Sequence, residues 1–375
     1  MLAKTPPMGW NSWNTFGNNI SDSLIRETAD KMVSEGLLAA GYEYLVIDDC
    51  WAMRERNGAG LLTPDPVKFP FGMKAVADYV HSKGLKFGMY SCDGTMTCAG
   101  YPSSLEHEFV DAQTFAGWGV DFLKYDNCFK PAGIHGKLLY RRMAMALRST
   151  GRDILFSACN WGVDDVETWI RSTGAHMWRS TGDIQDNWAS IKRLAMSQDD
   201  REPYSGPGCF NDIDMLVVGM YGQGNVALGG CSDTQYQTHF ALWCMMNSPL
   251  MIGCDIRHMN DATRTILTNK EMIAINQDPE GRQPYTILLD GSHESRAYVK
   301  PLSNGEYAIG LFNLSDDPRH LSVQLWDLGL PSAAGYGFKL YDVGAHADAG
   351  MIREHLTLDL PAYACRVYRA RLTGL

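Results

Sequence analysis

Features that would point to a membrane or nucleic-acid partner are missing from this sequence. No apolar run approaches the ~18 residues of a membrane span. Acidic residues (43) outnumber lysine and arginine (33), and the net charge of −10 argues against binding a nucleic-acid backbone or an anionic membrane. The opening segment lacks the apolar core of a secretory signal, so we expect a cytoplasmic protein unless a leader was removed. A neutral small molecule suits this charge balance better, and the sequence leaves open whether the chain forms a homo-oligomer.

The residue spacing of zinc sites is also missing. The ten cysteines are scattered, none forms a CxxC pair, and no two histidines lie four residues apart. These spacings are typical of zinc-binding proteins. We expect most of the cysteines to be small buried apolar residues.

What the sequence does contain, up to about residue 280, is an alternation of short apolar runs with helix-like stretches. The runs are flanked by Gly or polar residues, as expected of strands buried on both faces. They include residues 44–48, 85–90, 120–125 and 154–157. Between two of them, residues 23–39 carry apolar side chains near helical spacing. The repetition predicts an α/β fold in which residues 1–280 form a (β/α)8 TIM barrel.

The pattern changes after residue 280. Prolines and turn sequences separate short β-like runs such as 296–300 and 306–312, and helical periodicity is nearly gone. Short strands punctuated in this way are typical of an antiparallel β-sandwich. We therefore predict a second, C-terminal domain over residues 281–375.

Polar and acidic residues follow nearly every predicted strand of the barrel. They are Asp48, Asp49, Asp93, Asp126, Asn127, Asn160, Asp183, Asp212, Asp214 and Asp255. In a barrel of this kind the carboxyl ends of the strands together line one pocket. Asp and Asn are also common turn and N-cap residues, which would explain about half of these positions without a functional role.

Two of the strand ends carry an acid beside a base. Asp126 lies two residues after Lys124, so both side chains point the same way and the carboxylate is expected to stay ionised. Asp183 lies near Arg179, which is able to hold a hydroxyl group and tune a carboxylate. Two carboxylates on separate strands can attack a sugar and donate a proton across its ring. An inward salt bridge at Lys124 and an ordinary strand-to-loop junction at Arg179 are the alternatives.

Asp48 and Asp49 lie beside Trp51, and three further tryptophans fall at strand ends. Paired acids next to an aromatic ring suit a sugar, because the acids accept hydrogen bonds from neighbouring hydroxyls while the ring packs on the C–H face. The tryptophans are Trp10, Trp13, Trp51 and Trp161. The rival interpretation is a divalent-metal site, against which no histidine accompanies the acids.

Six motifs taken together resemble the signatures of glycoside hydrolase family 27, which holds α-galactosidases and α-N-acetylgalactosaminidases. They are MGWNSW (8–13), IDDCW (47–51), KYDNC (124–128), RSTGD (179–183), FNDIDML (210–216) and AINQDP (274–279). The resemblance implies a retaining, exo-acting hydrolase of terminal α-D-galactosyl residues that needs no metal or organic cofactor. Retention implies carboxyl groups about 5–5.5 Å apart.

The resemblance also implies a role for individual residues. Asp126 matches the nucleophile and Asp183 the acid/base. The positions that match or neighbour the family's galactose pocket are Trp13, Asp48, Asp49, Tyr90, Cys98, Lys124, Asn160, Trp161, Arg179 and Asp214. Among these, the two neighbouring acids would hold the 4- and 6-hydroxyls, Lys124 the 3- and 4-hydroxyls, and Arg179 the 2-hydroxyl.

Departures from the family pattern keep alternatives open. Asn18 stands where many members have a cysteine that pairs with the equivalent of Cys50, whereas Cys98 and Cys128 match a second family disulfide. Asn160 stands where α-galactosidases often have Glu, so α-N-acetylgalactosaminidase and β-L-arabinopyranosidase are rivals within the family. A non-catalytic galactose-binding protein is the rival of a different class, and a metal-dependent barrel enzyme using Asp48 and Asp49 is a third.

Overall fold

The computed structural model describes residues 2–226 and 228–374, and its first part is a parallel eight-stranded barrel. The neighbouring order of the strands is β7-β6-β5-β4-β3-β2-β1-β8. Their bounds are β1 Met8–Asn11, β2 Tyr44–Val46, β3 Lys86–Cys92, β4 Phe122–Asp126, β5 Leu155–Cys159, β6 Met177–Arg179, β7 Phe210–Asp212 and β8 Leu250–Ile252. Beyond β7, Leu216 pairs in parallel with Ile252 of β8 and closes the sheet. The predicted (β/α)8 TIM barrel is confirmed.

Helices fill the connections between these strands and surround the barrel. Their bounds are α1 Trp13–Phe16, α2 Asp22–Ser34, α3 Leu37–Ala40, α4 Gly72–Ser82, α5 Glu108–Trp118, α6 Gly136–Ser149, α7 Ile170–Thr173, α8 Trp188–Met196, α9 Asp233–Met245, α10 Asp261–Leu267 and α11 Lys270–Asn276. Among the described residues, no helix combines the length and apolar character needed to cross a membrane.

The helix predicted over residues 23–39 is divided into α2 and α3. It begins where expected, because the hydroxyl of Ser21 accepts a hydrogen bond from the backbone of Leu24 and satisfies the first turn. It is interrupted at Gly36, whose φ of 79° is a left-handed conformation that ends a helix. The apolar periodicity continues across this break, so it did not indicate it.

The alternation of side chains along the strands fills the inside of the barrel below its carboxyl end. Inward-facing apolar residues form one buried cluster: Tyr44, Val46, Phe122, Leu155, Met177, Met215 and Met251. The next inward positions along the same strands are polar, namely Lys124 and Asp126 on β4 and Arg179 on β6. The barrel therefore has an apolar floor and a polar mouth.

The C-terminal part is an antiparallel β-sandwich, as predicted. A six-stranded sheet in the order β14-β13-β16-β11-β10-β9 faces the pair β12-β15 across an apolar core. The strands are β9 Tyr285–Leu289, β10 Ser292–Pro301, β11 Glu306–Asn313, β12 Arg319–Gln324, β13 Tyr336–Asp342, β14 Ala347–Ile352, β15 His355–Leu360 and β16 Cys365–Gly374. The predicted runs 296–300 and 306–312 lie within β10 and β11.

A buried lysine joins the sandwich to the barrel. Lys300 on β10 is 1% exposed, and its ammonium group donates to the carbonyl oxygens of Cys244 and Ile275 and to Oδ1 of Asn247. These acceptors lie at the C-terminal ends of α9 and α11, where helix carbonyls lack partners within the helix. The lysine thus caps two barrel helices from the second domain.

Candidate active site

Period-two alternation brings one set of polar side chains to the barrel mouth. Cys92 and Asp126 are partners in the register of β3 and β4, as are Tyr90 and Lys124. Residues paired in this way, and residues two apart on one strand, face the same side of a sheet. Tyr90, Lys124 and Asp126 therefore point together into the mouth, where Arg179 of β6 joins them.

The mouth contains a cavity of about 270 Å³. Its lining combines acids, bases and aromatic rings: Trp13, Asn14, Asp48, Asp49, Tyr90, Cys98, Lys124, Asp126, Cys128, Trp161, Arg179, Asp183, Ile184, Gln185, Asp214, Met215 and Val226. A small hollow with convergent polar groups and apolar walls is typical of a site for one small polar ring.

Asp126 lies at the buried end of the cavity. It is 5% exposed, and its Oδ1 accepts a hydrogen bond of 2.9 Å from the backbone of Asn127. A carboxylate oxygen lies within 4.8 Å of the sulfur atoms of Cys98 and Cys128, which form a disulfide. Burial raises the pKa of Asp126, and the positive charge of Lys124 opposes that shift.

The inward salt bridge of Lys124, the alternative left open by the sequence, is formed with Asp48 and not with Asp126. Its Nζ lies 2.8 Å from Oδ2 of Asp48, an oxygen that also accepts a hydrogen bond of 2.7 Å from Asn11. Burial works against the charge of Lys124, but the negative groups around it, with Asp48 foremost, together raise the pKa of the lysine well above its usual value. Lys124 thus acts on Asp126 through its charge, without a hydrogen bond between them.

The two neighbouring acids are held by backbone groups. Oδ1 of Asp48 accepts from the N–H of Asp49, whose own Oδ1 and Oδ2 accept from Cys50 and Ala99 at 2.7 and 2.9 Å. Burial nevertheless raises the pKa of Asp49. These bonds fix the two carboxylates in the cavity wall, and a carboxylate has further lone pairs that can accept from ligand hydroxyls.

Arg179 links two acids on the opposite wall. Its guanidinium lies 2.7 Å from Oδ1 of Asp183 and 2.7 Å from Oδ2 of Asp214. Burial works to raise the pKa of Asp183, but Arg179 holds it below its usual value; burial raises the pKa of Asp214 to about 7. Two carboxyls coupled in this way titrate as a pair, which keeps one proton up to about pH 7.

Two buried polar groups lining the cavity have no partner among the described residues. They are the hydroxyl of Tyr90, 1% exposed, and Nδ2 of Asn14, 4% exposed. A buried polar group without a partner is unfavourable by about 1–3 kcal/mol. A hydroxylated ligand in this cavity offers the missing hydrogen bonds.

Of the two residues predicted to be catalytic and the ten predicted to bind substrate, only Asn160 is absent from the cavity lining among the described residues. It is fully buried, and its Nδ2 donates 2.9 Å to the carbonyl of Val163 in its own loop. On β5 the inward residues are Leu155, Ser157 and Cys159, so the next position faces the helices. Asn160 is therefore placed to shape the loop that carries Trp161 and not to touch a ligand.

Two of the four tryptophans at strand ends belong to the core, which corrects their interpretation as sugar-stacking residues. Trp10 is fully buried and donates to the carbonyl of Cys254. Trp51 is 3% exposed, donates to Tyr90 and packs edge-on against Trp118. Only Trp13 and Trp161 reach the cavity.

The prediction that the strand-end acids share one pocket was also too broad. Asp93, Asp212 and Asp255 lie outside the cavity lining. Asp255 forms a bidentate pair with Arg257, and Asp93 faces the layer between strands and helices. The end of a strand indicates the edge of the barrel at which a residue lies. A shift of one residue along the chain, however, turns the side chain to the opposite face of the sheet.

Several lining residues were missed. Gln185, Ile184 and Met215 adjoin predicted residues without any polar pattern of their own. Val226 comes from the glycine-rich 222–226 stretch, and its backbone N–H donates to the carbonyl of Asn14. Only Asn14 gave a signal, because it lies next to Trp13 at the end of the first strand.

The cysteines agree with the family resemblance. Cys98 and Cys128 form the implied disulfide, with their Cα atoms 5.1 Å apart, and Cys50 is a buried free thiol. Asn18, at the position of the missing partner, instead accepts a hydrogen bond of 2.6 Å from Lys68.

Comparisons with known proteins agree with this geometry. Residues 5–278 match the family described as Alpha galactosidase A, and residues 292–370 match the family described as Alpha galactosidase C-terminal beta sandwich domain.

Individual relatives cover nearly the whole chain. The alpha-galactosidase of Cyamopsis tetragonoloba is 44% identical over 98% of this chain and 86% of its own length. The alpha-N-acetylgalactosaminidase of Gallus gallus is 40% identical over 89% of this chain and 85% of its own. The crystal structure of alpha-galactosidase I from Mortierella vinacea superposes with a TM-score of 0.91 at 33% identity, covering 98% of this chain and 97% of that one.

Proposed function

We propose that this chain, which belongs to the alpha galactosidase A family of glycoside hydrolases, removes terminal α-D-galactosyl residues from oligosaccharides or glycoconjugates. The observation that carries the mechanism is that Asp126 and Asp183, from separate strand ends, line one cavity. Asp126 lies at the buried end, whereas the side chain of Asp183 is 69% exposed. A sugar seated between them has its anomeric carbon near the first and its departing oxygen near the second.

The first half of the reaction forms a covalent intermediate. A carboxylate oxygen of Asp126 bonds to the anomeric carbon as the glycosidic bond breaks, and Asp183 gives its proton to the departing oxygen. The donated proton comes from the pair of Asp183 and Asp214, which retains one proton up to about pH 7. Seating the sugar displaces water from Asp183, which favours its neutral form.

The second half returns the enzyme to its starting state. Asp183, now ionised, takes a proton from water as the water oxygen bonds to the anomeric carbon. The bond to Asp126 breaks, and its electron pair returns to the carboxylate. Two inversions leave the anomeric configuration unchanged, which predicts α-galactose as the first product.

The fixed acids of the cavity supply the choice of sugar. Asp48 and Asp49 are proposed to accept hydrogen bonds from the 4- and 6-hydroxyls, Lys124 to donate to the 3- and 4-hydroxyls and Arg179 to the 2-hydroxyl. A sugar with its 4-hydroxyl on the other face leaves these buried groups unpaired, which is the strongest form of discrimination available to such a site. Trp13 and Trp161 provide the apolar walls.

The substrate panel that tests this function compares kcat/KM on 4-nitrophenyl α-galactoside, α-N-acetylgalactosaminide and β-L-arabinopyranoside, with NMR of the first anomer released. We expect the galactoside to be preferred and the α-anomer to appear first. Preference for the N-acetyl sugar would assign the chain to the activity named for its Gallus gallus relative. Tight galactose binding without turnover would indicate a binding protein.

A further inference from the structure

Asp93 is an acid that the mechanism above does not use. It follows β3 directly, is 0% exposed, and neither of its carboxyl oxygens has a hydrogen-bond partner among the described residues. Its backbone N–H donates 3.0 Å to the carbonyl oxygen of Asp126. A buried carboxyl without partners strongly favours its neutral form. The charges of neighbouring groups therefore influence the pH at which it ionises.

The surroundings of Asp93 form a polar layer behind β4. The hydroxyl of Tyr125, fully buried, and Oε1 of Glu108, on a residue 2% exposed, also lack partners there. Tyr125 precedes the nucleophile and faces away from the cavity, on the same side as Asp93. Three buried polar side chains thus lie near one another behind the nucleophile without hydrogen bonds at these atoms among the described residues.

The charges that face Asp93 come from each neighbouring element. Burial raises the pKa of Asp93 to about 8; Lys130 opposes the rise, while Asp126, Asp164 and Glu108 add to it. The strongest nearby negative charge is thus Asp126 itself. When Asp126 becomes an ester in the covalent intermediate that charge is removed, and Asp93 ionises at a lower pH than in the free enzyme.

We propose that Asp93 is a positioning residue that controls the charge behind the nucleophile, and that in its neutral form it allows Asp126 to leave as a carboxylate in the second half-reaction. The proposal rests on the double displacement described above. As water bonds to the anomeric carbon, an electron pair and its negative charge return to Asp126. An ionised Asp93 opposes that charge across a buried region where screening by water is weak.

The predicted signature is a loss of the second step at alkaline pH. If Asp183 alone governed this step, the rate would stay level or rise with pH, because a base works better when ionised. With Asp93 ionised, we expect kcat on 4-nitrophenyl α-galactoside to fall on the order of ten-fold between pH 7 and pH 9. Glycosyl-enzyme should accumulate at the higher pH.

The experiment measures kcat from pH 6 to pH 9.5, together with the fraction of glycosyl-enzyme by intact mass spectrometry after an acid quench. Asp93→Asn keeps the size of the side chain but cannot ionise, so we expect a level kcat above pH 7 and no added accumulation. Asp111→Asn serves as the matched control, because Asp111 is equally buried but paired with Arg56, and should retain the alkaline fall. An unchanged fall in Asp93→Asn would overturn the proposal.

Lys130→Met gives a second test that does not alter the buried acid. The ammonium of Lys130 lowers the pKa of Asp93, so its removal should move the alkaline fall to higher pH, and an unmoved fall would contradict the role of Asp93. Absence of turnover and of glycosyl-enzyme in the unmodified protein at pH 6 would instead refute the proposed hydrolase. The two failures are therefore distinguishable.

Discussion

Among the single side chains of the site, Arg179 has the most partners. It contacts both Asp183 and Asp214 at 2.7 Å, yet the two acids differ in exposure, the first being open to the cavity and the second 7% exposed. Because burial raises the pKa of Asp214 while Arg179 holds that of Asp183 below its usual value, the proton of the pair favours Asp214 over Asp183. Transfer of this proton to Asp183 when a sugar binds would reconcile the lowered pKa of Asp183 with its proposed acid role.

Substitution of Asp126 and Asp183, the proposed nucleophile and acid, should have unequal effects. Asp126→Asn removes the nucleophile, so we expect nearly complete loss of turnover on every galactoside. Asp183→Asn should lose roughly 10²–10⁴-fold on an alkyl galactoside but much less on 4-nitrophenyl galactoside, whose leaving group needs little proton donation. The losses are compared as kcat/KM on both substrates, which reports the first half-reaction, and equal losses of kcat/KM on the two would rule out Asp183 as the acid.

The acid pair also predicts a pH profile. For an alkyl galactoside, kcat/KM should decline above about pH 7, because the raised pKa of Asp214 means that the pair loses its proton there. In Asp214→Asn the second negative charge is absent, so Asp183 ionises more readily and the decline should begin at lower pH. A profile that is identical in both proteins would show that the pair does not share the proton.

At the scale of elements, the loop after β5 holds Trp161 in an unusual conformation. Trp161, Gly162 and Asp164 have φ values of 62°, 80° and 60°, and a side chain on Gly162 would meet the carbonyl of Ser180 at 2.4 Å. Left-handed backbone outside glycine is unfavourable and persists only where its surroundings enforce it. Asp164 does so by accepting hydrogen bonds from Lys130 and from the backbone of Gly136 at the start of α6.

Removing the ion pair between Asp164 and Lys130 should therefore affect substrate binding more than the chemical steps. Asp164→Asn loses the ion pair with Lys130, and we expect KM to rise roughly three- to ten-fold with a smaller change in kcat. Lys74→Met, which removes an exposed ion pair with Asp78 on α4, is the control and should change neither constant. A fall in kcat alone would mean that the loop does not position Trp161 for binding.

The sequence predicted elements better than the orientation of side chains within them. The acids at the ends of β4 and β6 lie in one cavity, as expected, because parallel strands end at the same edge. Asn160 and Trp10 illustrate the limit: each lies at a strand end but points toward the helices. A strand of only four or five residues, such as β1 or β5, is too short for its sequence to reveal which of its two faces is inward.

At the scale of the whole molecule, a buried lysine of the sandwich forms hydrogen bonds with helices of the barrel. Lys300 satisfies three acceptors at the ends of two barrel helices, although burial lowers its pKa to about 7. The domain boundary predicted at residue 280 remains a prediction, but the contacts of Lys300 indicate that the two parts unfold together.

Removing this lysine should destabilise both domains. Lys300→Met leaves the acceptors unpaired in an apolar setting, but it also removes an amine whose lowered pKa makes its charge unfavourable in the folded state below about pH 7. We therefore expect a loss on the order of 3 kcal/mol in the free energy of unfolding at pH 9 and a smaller loss at pH 6. Lys339→Met breaks only an exposed ion pair with Asp348 and should change it by less than about 0.5 kcal/mol. Denaturant unfolding followed by tryptophan fluorescence compares the three proteins, and equal stability would show that Lys300 does not couple the domains.

The apolar cluster that fills the barrel beneath Asp126 determines how substrate enters the active site and how product leaves it. Tyr44, Phe122 and Met177 block the passage below the cavity, so a sugar enters and its hydrolysed product departs by the same opening. Free galactose must then leave the cavity before the next substrate molecule can bind. We therefore expect galactose to be a competitive inhibitor. We therefore expect branched polymers to lose terminal galactosyl residues one at a time, without cleavage of bonds within the polymer backbone.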